Sequence, residues 1–290
     1  MRTSAPAWWD GIDPGRVRVV ATDMDGTLLS PGGTVSSRTA AAVAAARRAG
    51  VHVVPVTGRP PQALWVLAAT AGLGPVGVCS NGAAVVDLDR EEVIEVDHLP
   101  GELAAELVQR ARCVEPEVRF AVDNLDRFTH EVAFFEGPVE WEEDVFGTDD
   151  LTPVLEEGCI KLIARRPGTS ALDLIDRLAP FLGTAVHLTT SGLDWVDIGV
   201  VGVTKATALA RVCARLGVGA EAVVAVGDNH NDLTMLEWAS RGLAVANAAP
   251  DVLAAADAVL PGNAADGVAV LLERLVASRR AALPGTAEVG

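Results

Sequence analysis

Short apolar runs alternate with amphipathic segments in the first third of the chain and again in its last third. In the first third the pattern predicts strands at 17–21, 51–56 and 76–80, with helices at 36–48 and 60–71. In the last third it predicts strands at 222–226 and 243–246, with helices at 204–216, 231–239 and 267–276. Short apolar strands that alternate with helices are typical of an α/β fold, so we expect a doubly wound parallel sheet.

The two sets of predicted elements are separated by a region with its own pattern. It contains helix candidates at 102–113 and 170–181 and strand candidates at 160–164 and 185–189. We therefore predict a Rossmann-like core formed by residues 16–86 and 190–277, with an inserted α/β cap domain at 87–189. The two ends, 1–15 and 278–290, show no clear periodicity and are predicted to be irregular.

Acidic residues are concentrated in the predicted cap. The chain has a net charge of -16, and from Asp87 to Thr190 there are 24 acidic and 9 basic side chains. A surface of this sign repels nucleic acid and anionic lipid, so we expect neither as a partner. Residues 136–157 hold nine acids and no Lys or Arg, which fits a solvated face but leaves another role open.

The sequence shows neither a membrane span nor a secretory signal, so we expect a cytoplasmic protein. The four cysteines lie far apart, without a CxxC pair or a neighbouring His. We therefore predict core thiols rather than zinc ligands or disulfides for Cys79, Cys113, Cys159 and Cys213.

The first predicted strand leads directly into an acidic loop, Asp23-Met24-Asp25-Gly26-Thr27. Alternate side chains of an extended chain point the same way, so Asp23 and Asp25 can address one spot. Ligands of open parallel sheets bind beyond the carboxyl ends of the strands, and this loop lies at such an end. Taken alone, the loop also fits a surface turn in which Asp and Gly serve only local geometry.

A second acidic loop, Gly-Asp-Asn-His-Asn-Asp at 227–232, follows the strand predicted at 222–226. Carboxylates that converge from both loops would repel one another by several kcal/mol unless a divalent cation neutralises them. Oxygen ligands without a thiolate favour Mg²⁺. The alternative for Asp228 and Asp232 is capping of the helix that follows, which can hold for one of them even in an active enzyme.

Positive charge and hydrogen-bond donors lie at two other points of the predicted core. Thr57-Gly58-Arg59 comes after the strand predicted at 51–56, where a hydroxyl and backbone N–H groups can hold a phosphate. Lys205 opens a predicted helix and is one of two lysines among 23 basic residues, which favours a functional role for its compact ammonium. The other lysine, Lys161, is interpreted as a cap residue near the entrance of the cleft. Together these residues predict a phosphohydrolase with Asp23 as its nucleophile.

Two further side chains are weaker candidates. His230 lies inside the second acidic loop, and Trp141 lies in the acidic stretch of the cap, where a ring can stack on a substrate. The sequence does not decide whether His230, Lys161 or Trp141 touches a substrate.

The motifs and their order resemble those of the haloacid dehalogenase superfamily and, within it, the Cof-type sugar-phosphate phosphatases. The matching segments are Asp-Met-Asp-Gly-Thr-Leu at 23–28, Thr-Gly-Arg at 57–59, Ser-Asn-Gly at 80–82, Lys205, Gly-Asp-Asn-His-Asn-Asp at 227–232, Asn-Ala at 247–248 and Asp-Gly-Val at 266–268. The chain departs from the usual pattern at Ala206 and Ala246, where the family more often has Gly.

The resemblance implies an aspartyl-phosphate intermediate and a requirement for Mg²⁺. By this resemblance, Asp23 would be phosphorylated and would also bind the metal. Asp25 would protonate the leaving oxygen and then activate water, and its backbone carbonyl would bind the metal together with Asp228. The resemblance also implies that Thr57, Gly58 and Lys205 bind the phosphate. Asn231 and Asp232 would support the metal site. Arg59 and Asn81 would lie near the substrate.

The predicted substrate is a small phosphomonoester, with sugar phosphates as the first class. An acidic cap favours polyol or sugar leaving groups, because their hydroxyls donate to carboxylates. The nearest alternative is a phosphomutase, since a similar core can return the phosphoryl group to a sugar. A phospho-acceptor signalling module needs neither Asp25 nor a large cap, and the full set of acidic and cationic residues argues against a silent binding scaffold. The sequence does not indicate the oligomeric state.

Overall fold

The computed structural model describes residues 6–125, 127–135 and 145–282. Within these ranges the strands are β1 (Val19–Thr22), β2 (His52–Pro55), β3 (Val76–Cys79), β4 (Ala84–Asp87), β5 (Glu92–Val96), β6 (Arg119–Asp123), β7 (Phe128–Glu131), β8 (Val145–Thr148), β9 (Lys161–Arg165), β10 (Val186–Thr189), β11 (Val196–Val200), β12 (Val223–Gly227), β13 (Arg241–Val245) and β14 (Ala258–Leu260). The α-helices are α1 (Ser37–Arg48), α2 (Pro61–Ala71), α3 (Gly101–Val114), α4 (Thr152–Glu156), α5 (Ala171–Leu182), α6 (Lys205–Arg215), α7 (Leu233–Trp238), α8 (Pro250–Ala255) and α9 (Gly267–Ala282).

The core sheet has the order β14-β13-β12-β1-β2, and every neighbouring pair is parallel. Every residue of β1 and β12 is buried, which explains their continuous apolar sequences. Helix α1 packs on α9, and α6 packs on α7. The predicted α/β class with a parallel core is thus confirmed. Because the strands are parallel, the segments after β1, β2 and β12 all emerge at one edge of the sheet.

The strand predicted at 76–80 is not a full member of the core sheet. It is β3, which pairs antiparallel with β4, and β4 pairs antiparallel with β5. Its link to the core is a single parallel bridge between Val56 and Val78. The reason is the tight turn at 80–82, which sends the chain straight back along β3.

The cap is built on a separate sheet with the order β10-β11-β9-β6-β7-β8. Helices α3 and α5 pack together, and their apolar side chains form a second core with those of the sheet. Both predicted boundaries of the cap need correction. The boundary at 189/190 would separate the antiparallel partners β10 and β11, and the boundary at 86/87 would cut through β4, which pairs with β5. Sheet membership places the return to the core after β11, between residue 200 and the start of α6.

Helix ends follow local chemistry. The hydroxyl of Ser36 accepts a hydrogen bond from Thr39 N at 3.0 Å, which caps α1 where the sequence predicted a cap. The end predicted to be irregular from residue 278 instead continues α9 as far as Ala282. Arg279 anchors these last turns by donating to the carbonyls of Pro14 and Ala49 at 2.7 and 2.8 Å.

Three of the four cysteines, Cys79, Cys159 and Cys213, are buried, as predicted for core thiols, but Cys113 is exposed near the end of α3. In the described ranges, no helix is both long and apolar enough to cross a bilayer.

Candidate active site

The loop after β1 places its two carboxylates in different environments. Asp23 is buried, whereas the side chain of Asp25 is 52% exposed. Gly26 has φ +77°, and a Cβ on it would lie only 2.3 Å from Asp228 Oδ2. Thr27 then donates to Asp228 Oδ1 at 2.6 Å. Glycine therefore lets the two acidic loops approach, and the threonine joins them.

Lys205 lies between the same two loops. Its helix begins with a capping box between Thr204 and Thr207, so the lysine occupies the first helical position. Its Nζ donates to Asp23 Oδ1 and to Asp232 Oδ1, each at 2.6 Å, and the residue is 1% exposed. Charge-assisted hydrogen bonds of this length are strong, so the ammonium fixes the positions of both carboxylates.

Asp232 organises the second acidic loop. Its Oδ2 accepts hydrogen bonds from the backbone N–H groups of Asp228 at 2.9 Å and Asn229 at 3.0 Å, while its Oδ1 faces Lys205. Asp232 thus forms a capping box with Asn229 at the short 3₁₀ turn 230–232, and its side chain makes no cap hydrogen bond to α7, the helix that follows. The carboxylate of Asp228 is held instead by the hydroxyl of Thr27.

The acidic cluster around Lys205 holds more negative than positive charge. Burial raises the pKa of Asp23 well above its usual range, and the carboxylates of Asp232 and Asp228 add to this, although Lys205 opposes it. Burial also raises the pKa of Asp228 to about 6, against the lowering effect of the Thr27 hydrogen bond. Burial disfavours the charged form of Lys205, yet its two carboxylate partners raise its pKa overall. One ammonium therefore faces three carboxylates.

This donor set fits Mg²⁺. Oxygens of Asp23, Asp228 and Asp232 lie within 4.8 Å of one another, and all three residues are buried. Carboxylate oxygens are the ligands that this hard cation prefers, and a divalent charge would offset the excess negative charge of the cluster.

The loop Thr57-Gly58-Arg59 after β2, which the sequence predicts to bind phosphate and which we call the phosphate loop, lies beside the first acidic loop. Thr57 is buried, and its Oγ1 accepts from Arg59 N at 3.1 Å, which leaves the hydroxyl hydrogen able to bind another acceptor. The Arg59 guanidinium donates to both oxygens of Asp25, at 2.7 Å each. The sequence placed Arg59 only near the substrate, so this bidentate contact with Asp25 is a new observation.

A sequence profile of the haloacid dehalogenase-like hydrolases matches residues 20–272. The chain belongs to this family. The pyridoxal phosphate phosphatase YbhA of Escherichia coli (strain K12) is 30% identical over 261 residues, covering 87% of this chain and 96% of that protein. The 5-amino-6-(5-phospho-D-ribitylamino)uracil phosphatase YcsE of Bacillus subtilis (strain 168) is 27% identical over 264 residues, covering 90% and 96%. The crystal structure of SMU.1108c from Streptococcus mutans UA159 shares the fold, with a TM-score of 0.81 at 23% identity over 90% of this chain and 99% of that one.

Membership of the haloacid dehalogenase-like hydrolases confirms the resemblance carried by the motifs, and the structure explains one of them. The amide nitrogen of Asn247 donates to the carbonyl of Gly26 at 2.8 Å, and its oxygen accepts from Asn263 N at 2.9 Å. The Asn-Ala motif therefore supports the turn that brings Asp23 and Asp228 together.

The weaker candidates lie apart from this cluster. His230 Nε2 lies 2.6 Å from Asp251 Oδ2 on α8, so its ring is engaged with a surface carboxylate. Trp141 and the first part of the acidic stretch, 136–144, lie outside the described residues.

Lys161 of the hydrolase lies on cap strand β9, as predicted for a cap residue, and it is buried where the cap meets the core. Its Nζ lies 3.4 Å from Asp123 Oδ2 and 3.4 Å from Asp197 Oδ1, and it donates to the carbonyl of Gly58 at 3.3 Å. The sequence reading missed Asp123 and Asp197, because neither belongs to a motif. A signal was available in the alternation of apolar and polar residues at 196–200, which is typical of a half-buried strand.

Proposed function

We propose that this hydrolase is a Mg²⁺-dependent phosphatase that transfers the phosphoryl group of a small monoester first to Asp23 and then to water. The observation that carries the proposal is the position of Lys205, which binds Asp23 and Asp232 at 2.6 Å beside Asp228. A buried carboxylate next to a fixed ammonium and an oxygen-rich metal site is suited to attack on a phosphate, since both cations offset the charge of the incoming group.

The metal would be held by the side chains of Asp23 and Asp228 and the backbone carbonyl of Asp25, with Asn231 and Asp232 supporting the site. When bound, Mg²⁺ supplies positive charge that lowers the repulsion between the carboxylate and the phosphate dianion. The cluster supports this assignment because one lysine leaves two of its three carboxylates without a balancing charge.

In the first step, a carboxylate oxygen of Asp23 forms a bond to phosphorus as the bond from phosphorus to the leaving oxygen breaks. Lys205, the hydroxyl of Thr57 and backbone N–H groups near Gly58 hold the phosphoryl oxygens. Asp25 donates a proton to the leaving oxygen, which departs as an alcohol. Since Arg59 occupies both oxygens of Asp25 in this structure, Arg59 must release Asp25 before the proton can move.

In the second step, Asp25 accepts a proton from a water molecule that attacks phosphorus. The bond between Asp23 and phosphorus breaks, so inorganic phosphate forms and the Asp23 carboxylate is restored. Asp25 is thereby ready to act as the acid again. The half-exposed position of Asp25 beside the buried Asp23 supports this division of roles.

We propose small phosphomonoesters as substrates, with sugar phosphates as the first class. The names of the YbhA and YcsE relatives add a second class, in which the phosphorylated alcohol is attached to a nitrogen-containing ring.

A phosphate-release screen over hexose phosphates, pentose phosphates, pyridoxal 5′-phosphate and nucleoside triphosphates, with and without Mg²⁺, tests the proposal. We expect Mg²⁺-dependent release from at least one monoester, loss of release in Asp23→Asn, and normal release in the control Asp176→Asn on the exposed face of α5. Normal release from Asp23→Asn would exclude this nucleophile. Conversion of one sugar phosphate into an isomer without free phosphate would indicate a mutase instead.

A further inference from the structure

A line of hydrogen-bonded side chains joins the cap to the second acidic loop. Asp197 lies on cap strand β11, and its Oδ2 accepts a hydrogen bond from Asn81 Nδ2 at 2.8 Å. Asn81 Oδ1 in turn accepts from Asn231 Nδ2 at 2.9 Å. All three residues are at least 91% buried, so water does not compete for these contacts.

The backbone around Asn81 is held firmly in place. Asn81 has φ +58° and donates its N–H to the carbonyl of Thr57 at 3.0 Å. Gly82 follows, where a Cβ would lie 2.3 Å from the carbonyl of Thr204 at the start of α6. A residue other than glycine with a left-handed backbone, held in place by contacts on both sides, is typical of functional sites. The side chain of Asn81 therefore starts from a fixed point between the phosphate loop and the helix of Lys205.

A carboxylate at one end of this line determines the direction of every hydrogen bond in it. An ionised carboxylate only accepts, so Asn81 must turn its NH₂ towards Asp197 and its oxygen towards Asn231. Asn231 must then turn its own NH₂ towards Asn81. The Oδ1 of Asn231 then has no partner in this line. Among the described residues, this buried oxygen accepts no hydrogen bond. An acceptor in that place suits a water molecule bound to a metal, because such a water can only donate.

Lys161 maintains this direction from the cap. Its ammonium lies 3.4 Å from Asp197 Oδ1, which is the oxygen that Asn81 does not use. This contact and the hydrogen bond from Asn81 give the two oxygens of Asp197 different partners. Lys161 lies directly opposite Asp123 in the register of β6 and β9, so the second carboxylate on this lysine comes from another strand and makes no hydrogen bond to Asn81 among the described residues.

We propose that Asp197 is a positioning residue for the metal side of the active site, acting through Asn81 to orient the amide of Asn231. The inference rests on the proposed metal site in the loop of Asp228. It assigns a residue of the cap a role in the core, so the cap would prepare the metal site in addition to covering the substrate.

The substitution Asp197→Asn reverses the donor and acceptor roles along this line of hydrogen bonds, while the side chain at position 197 keeps almost the same size and shape. Beside the Lys161 ammonium, the introduced amide turns its oxygen to the lysine and its NH₂ to Asn81. Asn81 and then Asn231 must flip in response, which presents an NH₂ group instead of an oxygen to the metal side. We expect Mg²⁺ to bind about tenfold more weakly, as is typical when a group that orients a metal ligand is lost.

Removing the lysine as well should restore binding. In Lys161→Met/Asp197→Asn the amide oxygen is free to turn back to Asn81, so we expect most of the lost affinity to return. The matched control Asp123→Asn should bind Mg²⁺ within about twofold of the wild type, because Asp123 makes no hydrogen bond to Asn81 among the described residues. A purely structural role for Asp197 does not predict rescue by a second substitution.

The test is calorimetric titration of Mg²⁺ alone into the full-length protein and its variants, without substrate, with thermal unfolding as a check on folding. Wild-type affinity in Asp197→Asn, or no recovery in the double variant, would overturn the inference. If Asp197→Asn does not fold, Asn81→Leu provides the same test, with about tenfold weaker binding expected and unchanged binding as the contradiction. Asp228→Asn separates the two proposals: if the wild type binds Mg²⁺ no better than this variant, the metal site itself is wrong.

Discussion

The two lysines of the chain, Lys205 in the core and Lys161 in the cap, are both buried and both lie between two carboxylates. Lys205 is 2.6 Å from each partner, whereas Lys161 is 3.4 Å from each and also contacts the carbonyl of Gly58 at 3.3 Å. Around Lys205 a third carboxylate, Asp228, completes the cluster. Around Lys161 the amide of Asn81 supplies a neutral donor instead.

The difference shows which of the two clusters needs a further ion. The cluster of Lys205 has two carboxylates in excess and lies at the edge where parallel strands end, so it is suited to a divalent cation and a phosphate. The cluster of Lys161 has one carboxylate in excess, and burial raises the pKa of Asp123 to about 6 although the ammonium of Lys161 opposes this. A proton can therefore balance the second cluster, which suits a structural or positioning role.

The largest difference is expected between Lys205→Met and Lys161→Met. In the proposed mechanism Lys205 contacts both the nucleophile and the transferred group, so we expect kcat/KM of Lys205→Met to fall about 10³-fold. Lys161→Met should cost less than about tenfold, because it contacts the phosphate loop only through a backbone carbonyl. Steady-state phosphate release measures both. Equal losses in the two variants would contradict the separation into a catalytic and a positioning lysine.

A smaller effect is expected from adding a methyl group to one glycine in each region, Gly26 beside Asp228 in the core and Gly199 near Lys161 in the cap. In Gly26→Ala the new Cβ meets Asp228 Oδ2 at 2.3 Å in a left-handed backbone, so the acidic loops must separate and activity should fall about 100-fold. Gly199, on the cap face near Lys161, has nothing within 4 Å of such a Cβ. Gly199→Ala is thus the matched control, and its kcat/KM should stay within about threefold of the wild type.

The smallest effect concerns stability and pH. The folded-state pKa of Asp123 is about 6 and its ordinary value is 3.8, so the folded protein binds this proton more tightly and loses stability as pH rises through that window. Between about pH 4.5 and pH 7.5 the wild type should lose about 2 kcal/mol more than Asp123→Asn. Urea unfolding of both proteins at the two pH values measures the difference. The same pH dependence in both proteins would assign the titration to another group.

The sequence predicted the core well because the patterns that specify its strands, helices and loops involve residues that are close together in the chain. Fully buried parallel strands read as short apolar runs, as in β1 and β12, and the loops that follow them carry motifs with a physical purpose. Gly26, for example, stands where the backbone must have positive φ and approach Asp228 closely. Most predicted strands and helices of the core lie within a few residues of their observed positions.

The sequence predicted the junction of cap and core poorly, because its contacts are distant along the chain. Asn81 and Asp197 are 116 residues apart, and no local pattern shows that they meet. The residues of β11 alternate as a strand should, but alternation does not tell which sheet a strand joins. The predicted domain boundary was therefore placed before this strand instead of after it.

The most direct test of the central claim is chemical trapping of the phosphorylated carboxylate. Borohydride reduces an acyl phosphate to an alcohol, so quenching the enzyme during turnover with Mg²⁺ and an active monoester, followed by peptide mass spectrometry, identifies the phosphorylated residue. We predict reduction at Asp23 in the wild type, and much less in Lys205→Met than in Lys161→Met. Reduction at Asp25, or rapid phosphate release with no reduced residue at any time during turnover, would contradict the account.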